Sequence, residues 1–357
     1  MRRTVKITVA LAAASLIATS CAQGDEGPEA TQASEDICET AEGDGPQIGL
    51  AYDVGGRGDQ SFNDSAYEGL KQAVEELDAT CTEAEAGPGE NDATREERLR
   101  TLADEGFDPI IGVGFIYSVA AQNVAKEPDY RDVNFAVVDG FAEAPNVANL
   151  VFAAQEGSFL VGAAAALKTE VGHVGFVGGV DGPLIQSFEA GFVAGVEEVD
   201  PSIQIDIKYL TQNQDEAVKG FENPPGGRAA ANGMYESGAD IVYHAAGKSG
   251  LGVFQAVESA GDGHWAIGVD SDQYKTVGQS QKPYILTSML KRVDVGVQEY
   301  IKAVVEGDAP SGFVTYDLSS DGVGYSTTGG FVDDIAEQLD EYKQQIIDGG
   351  IKVPDTP

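Results

Sequence analysis

From Gln47 onward, short apolar runs alternate with segments whose apolar residues recur every three to four positions. Residues 48–52 read as a buried strand. Residues 65–77 follow as a helix, with Ala66, Leu70, Ala73, Val74 and Leu77 on one face. The same reading gives a helix over 94–105, a strand over 110–113, a helix over 119–126 and a strand over 135–138. Apolar strands separated by amphipathic helices are the pattern of a parallel sheet covered on both faces.

The second half repeats this order. Strands are expected at 174–177, 203–209, 241–244 and 266–269, and helices at 184–199, 229–236 and 251–259. Landmarks recur at nearly constant offset: Ile48 and Val174 lie 126 apart, Gly106 and Gly238 132 apart, and Asp139 and Asp270 131 apart. Two similar doubly wound, Rossmann-like α/β lobes follow, joined by a hinge with a cleft between them. Residues 284–288 and 291–306 read as an αβ unit returned to the first lobe, and 313–318 with helix 333–347 close the chain. The expected lobes are therefore 46–151 plus 286–310, and 152–285 plus 311–357. Ligands of doubly wound sheets bind beyond the carboxyl ends of strands, where Asp53, Asp139, Gly247 and Asp270 all fall.

Charge narrows the partners. The chain has 22 basic against 59 acidic residues, a net charge of −37 that repels nucleic-acid backbones and anionic lipid head groups. A small uncharged ligand in a shielded cleft remains compatible with it. The N-terminus reads as an export signal over 1–20: Arg2, Arg3 and Lys6 precede an apolar run too short to span a bilayer, and small residues lead to Cys21. Cys21 is the expected lipidation site, placing the chain on the extracytoplasmic face of a membrane held by a lipid anchor alone. Residues 22–45 carry eight acids and no Lys or Arg, so 21–45 is expected to be a flexible tether. In an exported protein Cys38 and Cys81 are expected to pair.

Enzyme chemistry leaves no constellation. His173, His244 and His264 are scattered without metal-ligand spacing. Gly247-Lys248-Ser249 lacks the earlier glycine of a phosphate loop, where Val242 stands, and no Gly-x-Ser-x-Gly elbow occurs. No catalytic residue, cofactor or metal is expected. The informative stretch is 53–63, DVGGRGDQSFN, between the first strand and the first helix. Phe62 and Asn63 suit a flat polar ligand, the ring stacking and the amide bonding an edge. Equally, Phe62 could staple the helix start while Asn63 or Ser65 caps it. Arg57-Gly58-Asp59 spells an adhesion tripeptide, one frequent by chance.

This loop, with AYEGL, VVDG, EGSFLVG, the F-x-x-GF pair at Phe188–Phe192, GLGVFQA, GVDSDQ, TSMLKRVD and YDLSSDGVGYS, resembles the basic membrane protein family of lipoproteins, which includes purine nucleoside receptor A. The resemblance runs from about Ile48 to Val323. It implies a type I periplasmic-binding-protein fold and a monomeric subunit that captures a nucleoside for the permease of an ABC importer. By motif, it implies ligand contacts at Asp53, Phe62, Asn63, Asp139, Gly247, Asp270 and Lys291. Phe221 takes the aromatic position of a family motif, W-x-D-P-x-K-G, that here reads FENPPGGR, with Asn223 in place of the Asp. Phe188 and Phe192, four apart, are expected in the core. The rivals are a sugar or autoinducer receptor of the same fold and an exported nucleoside hydrolase.

Overall fold

A computed structural model of the chain describes residues 36–87, 89–213 and 216–357. In chain order the first elements are α1 (Ile37–Thr40), β1 (Gln47–Ala51), α2 (Phe62–Leu77), β2 (Thr80–Ala84), α3 (Asp92–Asp104), β3 (Ile110–Val113), α4 (Ser118–Ala125), β4 (Phe135–Val138) and β5 (Val147–Phe152). The second set is α5 (Ala154–Lys168), β6 (His173–Val180), α6 (Pro183–Val199), β7 (Gln204–Thr211), α7 (Ala217–Phe221), α8 (Pro224–Ser237), β8 (Ile241–Ala245), α9 (Gly250–Ala260), β9 (Trp265–Asp270), α10 (Gln273–Thr276) and β10 (Ile285–Lys291). The chain closes with α11 (Val293–Glu306), β11 (Gly312–Tyr316), β12 (Val323–Tyr325) and α12 (Ala336–Ile347).

Two six-stranded sheets result, ordered β11-β5-β4-β3-β1-β2 and β12-β10-β9-β8-β6-β7. Every pairing is parallel except β10 with β12. Read from the other edge, each sheet runs second-first-third-fourth-fifth, so strand order reverses between β1 and β3 in one lobe and between β6 and β8 in the other. Those reversals open the crevices in which doubly wound folds take ligands.

Local sequence sets the element ends. Asn91 caps α3 by accepting from the Thr94 amide, and Asn223 caps α8 by accepting from Gly226. Pro224 supplies the pre-set first residue of α8, and Gly238, with φ 109°, ends it in the left-handed turn that glycine favours. Helices α5 and α6 press together through small residues. A side chain at Gly162, Gly191 or Gly195 would strike a backbone carbonyl of the facing helix at 2.0–2.2 Å.

The lobes divide the C-terminal third differently from the expected 286–310 and 311–357. Strand β10 stays in the second sheet beside β9, and the crossing to lobe one falls at Arg292. Ile285 to Met289 are all buried, as an interior parallel strand requires. Helix α11 then packs on α2, where Gly69 meets the Asp294 backbone. Strand β11 belongs to sheet one as its edge beside β5, with Phe313 and Thr315 turned outward. Only β12 and α12 return to lobe two. The expected tether enters the described residues at Asp36, and from there it is folded. The Asp36 carboxylate caps α1, the Ile37 amide donates to the Tyr67 hydroxyl, and Cys38 is bonded to Cys81 of β2. Residues 1–20 and Cys21 lie outside the described residues. Among the described residues, no helix is long and apolar enough to cross a membrane.

Candidate ligand-binding cleft

The carboxyl ends of both sheets face one cavity, lined by buried and half-buried side chains. Lobe one supplies Asp53 beyond β1, Asp59, Phe62 and Asn63 from the loop and first turn of α2, Gly114 and Phe115 beyond β3, and Asp139 beyond β4. Lobe two supplies Leu184, Ile185 and Phe188 from α6, Phe221 from α7, Gly247 and Lys248 beyond β8, Asp270 at the end of β9, and Lys291 at the end of β10. All eight residues singled out as ligand contacts therefore lie on this cavity.

The first loop is organised from within by Asp59. This carboxylate accepts from the amides of Ser61 (2.9 Å), Asn63 (2.8 Å) and Asp64 (3.2 Å), satisfying the free N–H groups at the start of α2. Neither Asn63 nor Ser65 caps this helix. Asn63 Nδ2 donates to Asp59 Oδ2 at 3.0 Å, while its Oδ1 accepts from the Asp53 amide at 3.2 Å. The side chain thus ties the loop's two ends together. Arg57 lies 3.3 Å over the Tyr67 ring and pairs with Glu83 at 2.9 Å. Asp59 is only 1% exposed, so the carboxylate of the Arg-Gly-Asp tripeptide is engaged inside the fold.

At the matching strand ends, Asp139 and Asp270 share a left-handed backbone, with φ of 59° and 62°. Few residues other than glycine adopt it, and Asp is among those that do. Lys291 Nζ crosses the cleft to Asp139 Oδ2 at 2.5 Å. Three rings surround the same ammonium: Phe62 at 4.8 Å, Phe152 at 5.3 Å and Phe188 at 5.5 Å. Phe188 therefore faces the cation and cavity rather than lying only in the core. Phe192 packs against Phe176 and Tyr243, inside the second lobe. Asp270 Oδ2 accepts from Ser61 Oγ of the other lobe at 2.7 Å.

Burial dominates the electrostatics. Desolvation pushes the Asp53 carboxyl up to about 7, against the pull of the Val54 amide. It pushes Asp270 up to about 6, opposed by the Lys291 charge and the Ser61 hydroxyl. Asp59 is raised for the same reason, against its amide donors. Near neutrality Asp53 can thus donate as well as accept a hydrogen bond.

Sequence reasoning missed Asp59, Phe115, Leu184, Ile185 and Lys248. For Asp59 a signal existed, since an acid three residues before Phe62 is placed to cap the helix that follows. The apolar members carried none, because an apolar residue at a helix start reads as core. Asp272, outside the cavity, is held by Thr328 and Lys275.

Known proteins share this architecture. Residues 47–357 match the family described as ABC transporter substrate-binding protein, PnrA-like. The chain is 36% identical over 325 residues to the CD4+ T-cell-stimulating antigen of Listeria monocytogenes, covering 87% of this chain and 88% of that one. It is 32% identical over 319 residues to the ABC transporter nucleoside-binding protein BmpA of Lactococcus lactis, covering 85% and 88%. Among solved structures, an ABC transporter solute-binding protein of Aeropyrum pernix superposes with a TM-score of 0.74 at 29% identity, over 87% of this chain and 94% of that one. The two-lobed α/β fold is that of type I solute-binding proteins, and the family binds substrates for transporters rather than transforming them. This chain belongs to the PnrA-like, or basic membrane protein, family of ABC transporter substrate-binding proteins.

Proposed function

We propose that the chain captures a nucleoside, a purine nucleoside foremost, between its lobes and presents it to an ABC permease. The observation that carries this reading is the make-up of one cavity: an aromatic ring from each lobe, Phe62 and Phe221, together with the carboxyls of Asp53, Asp139 and Asp270. Rings suit the faces of a base, and carboxyls suit the edge of the base and the sugar hydroxyls. Asn63, Gly247 and Lys291 complete the set of contacts. The relative from Lactococcus lactis, named as nucleoside-binding, supports the same ligand class.

Capture proceeds by hinge closure. Asp53, Asp270 and Lys291 are 6%, 7% and 2% exposed around about 60 Å³ of free space, so a ligand reaches them only when the lobes part. The protein acts as a monomer on the extracytoplasmic face, tethered through lipid on Cys21. A phosphate is disfavoured, because it would meet Asp53, Asp59, Asp139 and Asp270 with Lys291 already paired.

Calorimetric titration with inosine, guanosine, cytidine and inosine monophosphate tests this. Saturable binding of the purine nucleosides, with the monophosphate at least a hundredfold weaker, is expected. No heat from any nucleoside would sink the reading. Separately, a fatty-acid analogue should label the wild type and not Cys21→Ala; equal labelling would remove the anchor.

A further inference from the structure

The first loop does more than line the cavity. Three of its backbone carbonyls point away from lobe one and each is met by a side chain of lobe two. Lys248 Nζ donates to Gly55 O at 3.1 Å, Gln273 Nε2 to Gln60 O at 3.1 Å, and Ser271 Oγ to Ser61 O at 2.9 Å. Ser61 Oγ answers in the opposite direction, its single proton shared between Asp270 Oδ2 at 2.7 Å and Val269 O at 3.0 Å. The backbone is bent to make this possible, since Gly55 and Gln60 both have positive φ, 93° and 56°. Gln60 carries a side chain in that conformation and is held there from within lobe one, its amide donating to Asp64 Oδ2 at 2.9 Å. Gln273 is fully buried and held in place: its side-chain Oε1 accepts from the Val269 amide at 2.8 Å, and its backbone N–H donates to Ser288 Oγ at 3.1 Å. Gly268 leaves the room, for a side chain there would strike Ser288 and Gln273 within 2.8 Å. Gln60, Ser61, Ser271 and Gln273 are not among the residues that line the cavity.

We infer that Ser271 and Gln273 are positioning residues that clasp the loop of lobe one and set ligand affinity through the closed fraction, without touching the ligand. The inference rests on the proposed capture by closure. A ligand that binds only the closed form has an apparent affinity reduced by the fraction closed, so weakening the clasp weakens binding. Each hydrogen bond of this kind changes that balance by roughly two- to tenfold.

The test uses the full chain with Ser271→Ala, Gln273→Ala and both together. It reads inosine dissociation by stopped flow, the radius of gyration without ligand by small-angle scattering, and the melting temperature. Expected are dissociation about twofold to tenfold faster for Ser271→Ala and faster still for the pair, a larger radius in the variants, and melting of Ser271→Ala within a few degrees of wild type. Unchanged dissociation and radius in Ser271→Ala would overturn the inference, even if Gln273→Ala proved too unstable to study. Weaker binding that follows a fall in melting temperature, at constant radius, would overturn it too. If wild type binds no nucleoside and the radius still rises in the variants, the clasp stands and the nucleoside reading falls.

Discussion

The two lobes share one strand order and serve the cleft differently. Between β1 and α2, lobe one places the long loop 52–61, rich in glycine and built around a buried carboxylate. The equivalent connection in lobe two, between β6 and α6, is only Asp181 and Gly182. With so short a turn, the first turns of α6 themselves reach the cavity and present Leu184, Ile185 and Phe188. Lobe one therefore contributes a polar loop organised by its own hydrogen bonds. Lobe two contributes the apolar wall of α6 together with Lys248, Asp270 and the ammonium of Lys291. A repeated fold has been put to unlike uses by changing one loop at the same topological position.

The sharpest way to break this comparison is through the buried acids of lobe one. Asp53 titrates near 7 in the folded chain and near the ordinary Asp value when unfolded. Between those values the folded state holds the extra proton, so stability conferred by the neutral carboxyl is full below about pH 4 and is lost as pH rises through about 7. The shift corresponds to on the order of 4 kcal/mol. Asp53→Asn should flatten that stretch of the stability–pH profile, measured by urea unfolding. An unchanged slope would contradict the assignment. Next in size, Asp59→Ala strips the start of α2 of its acceptor and should cost about 3 kcal/mol of unfolding free energy. A loss below about 1 kcal/mol would show that the loop organises itself by other means.

Smaller effects sharpen the contrast at the ligand. Phe62→Ala from lobe one and Asp270→Ala from lobe two should each weaken nucleoside binding by roughly tenfold to a hundredfold, from about 1–3 kcal/mol of stacking or charged hydrogen bonding. Titration calorimetry reads both, and loss from one lobe alone would mean that the ligand does not bridge the cleft. Smallest of all, Asp272→Ala should change affinity by less than about threefold, because its partners Thr328 and Lys275 lie away from the cavity.

Much of this was legible in the order of residues. The repeat offsets predicted two matching lobes, and the strand-end positions of Asp53, Asp139, Gly247 and Asp270 pointed to one cleft. What stayed hidden has physical causes. Strands β10 and β11 suit either sheet by composition, and only pairing partners decide that β10 lies beside β9 and β11 beside β5. Phe188 and Phe192 have the spacing of a core stripe, yet the start of α6 so near the cleft leaves Phe188 facing Lys291. Asp59 was masked by the tripeptide it completes. Lys248, Ser271 and Gln273 act by donating to backbone carbonyls, which leave no residue code on the accepting loop.

The central claim is that one ligand carries both a base for the rings and a sugar for the carboxyls. Titrating the wild-type chain with inosine, hypoxanthine and ribose under one set of conditions tests it most directly. Saturable one-to-one binding of inosine is predicted, with hypoxanthine and ribose each at least a hundredfold weaker. Ribose binding as tightly as inosine would contradict the account and move the protein to the sugar receptors of the same fold.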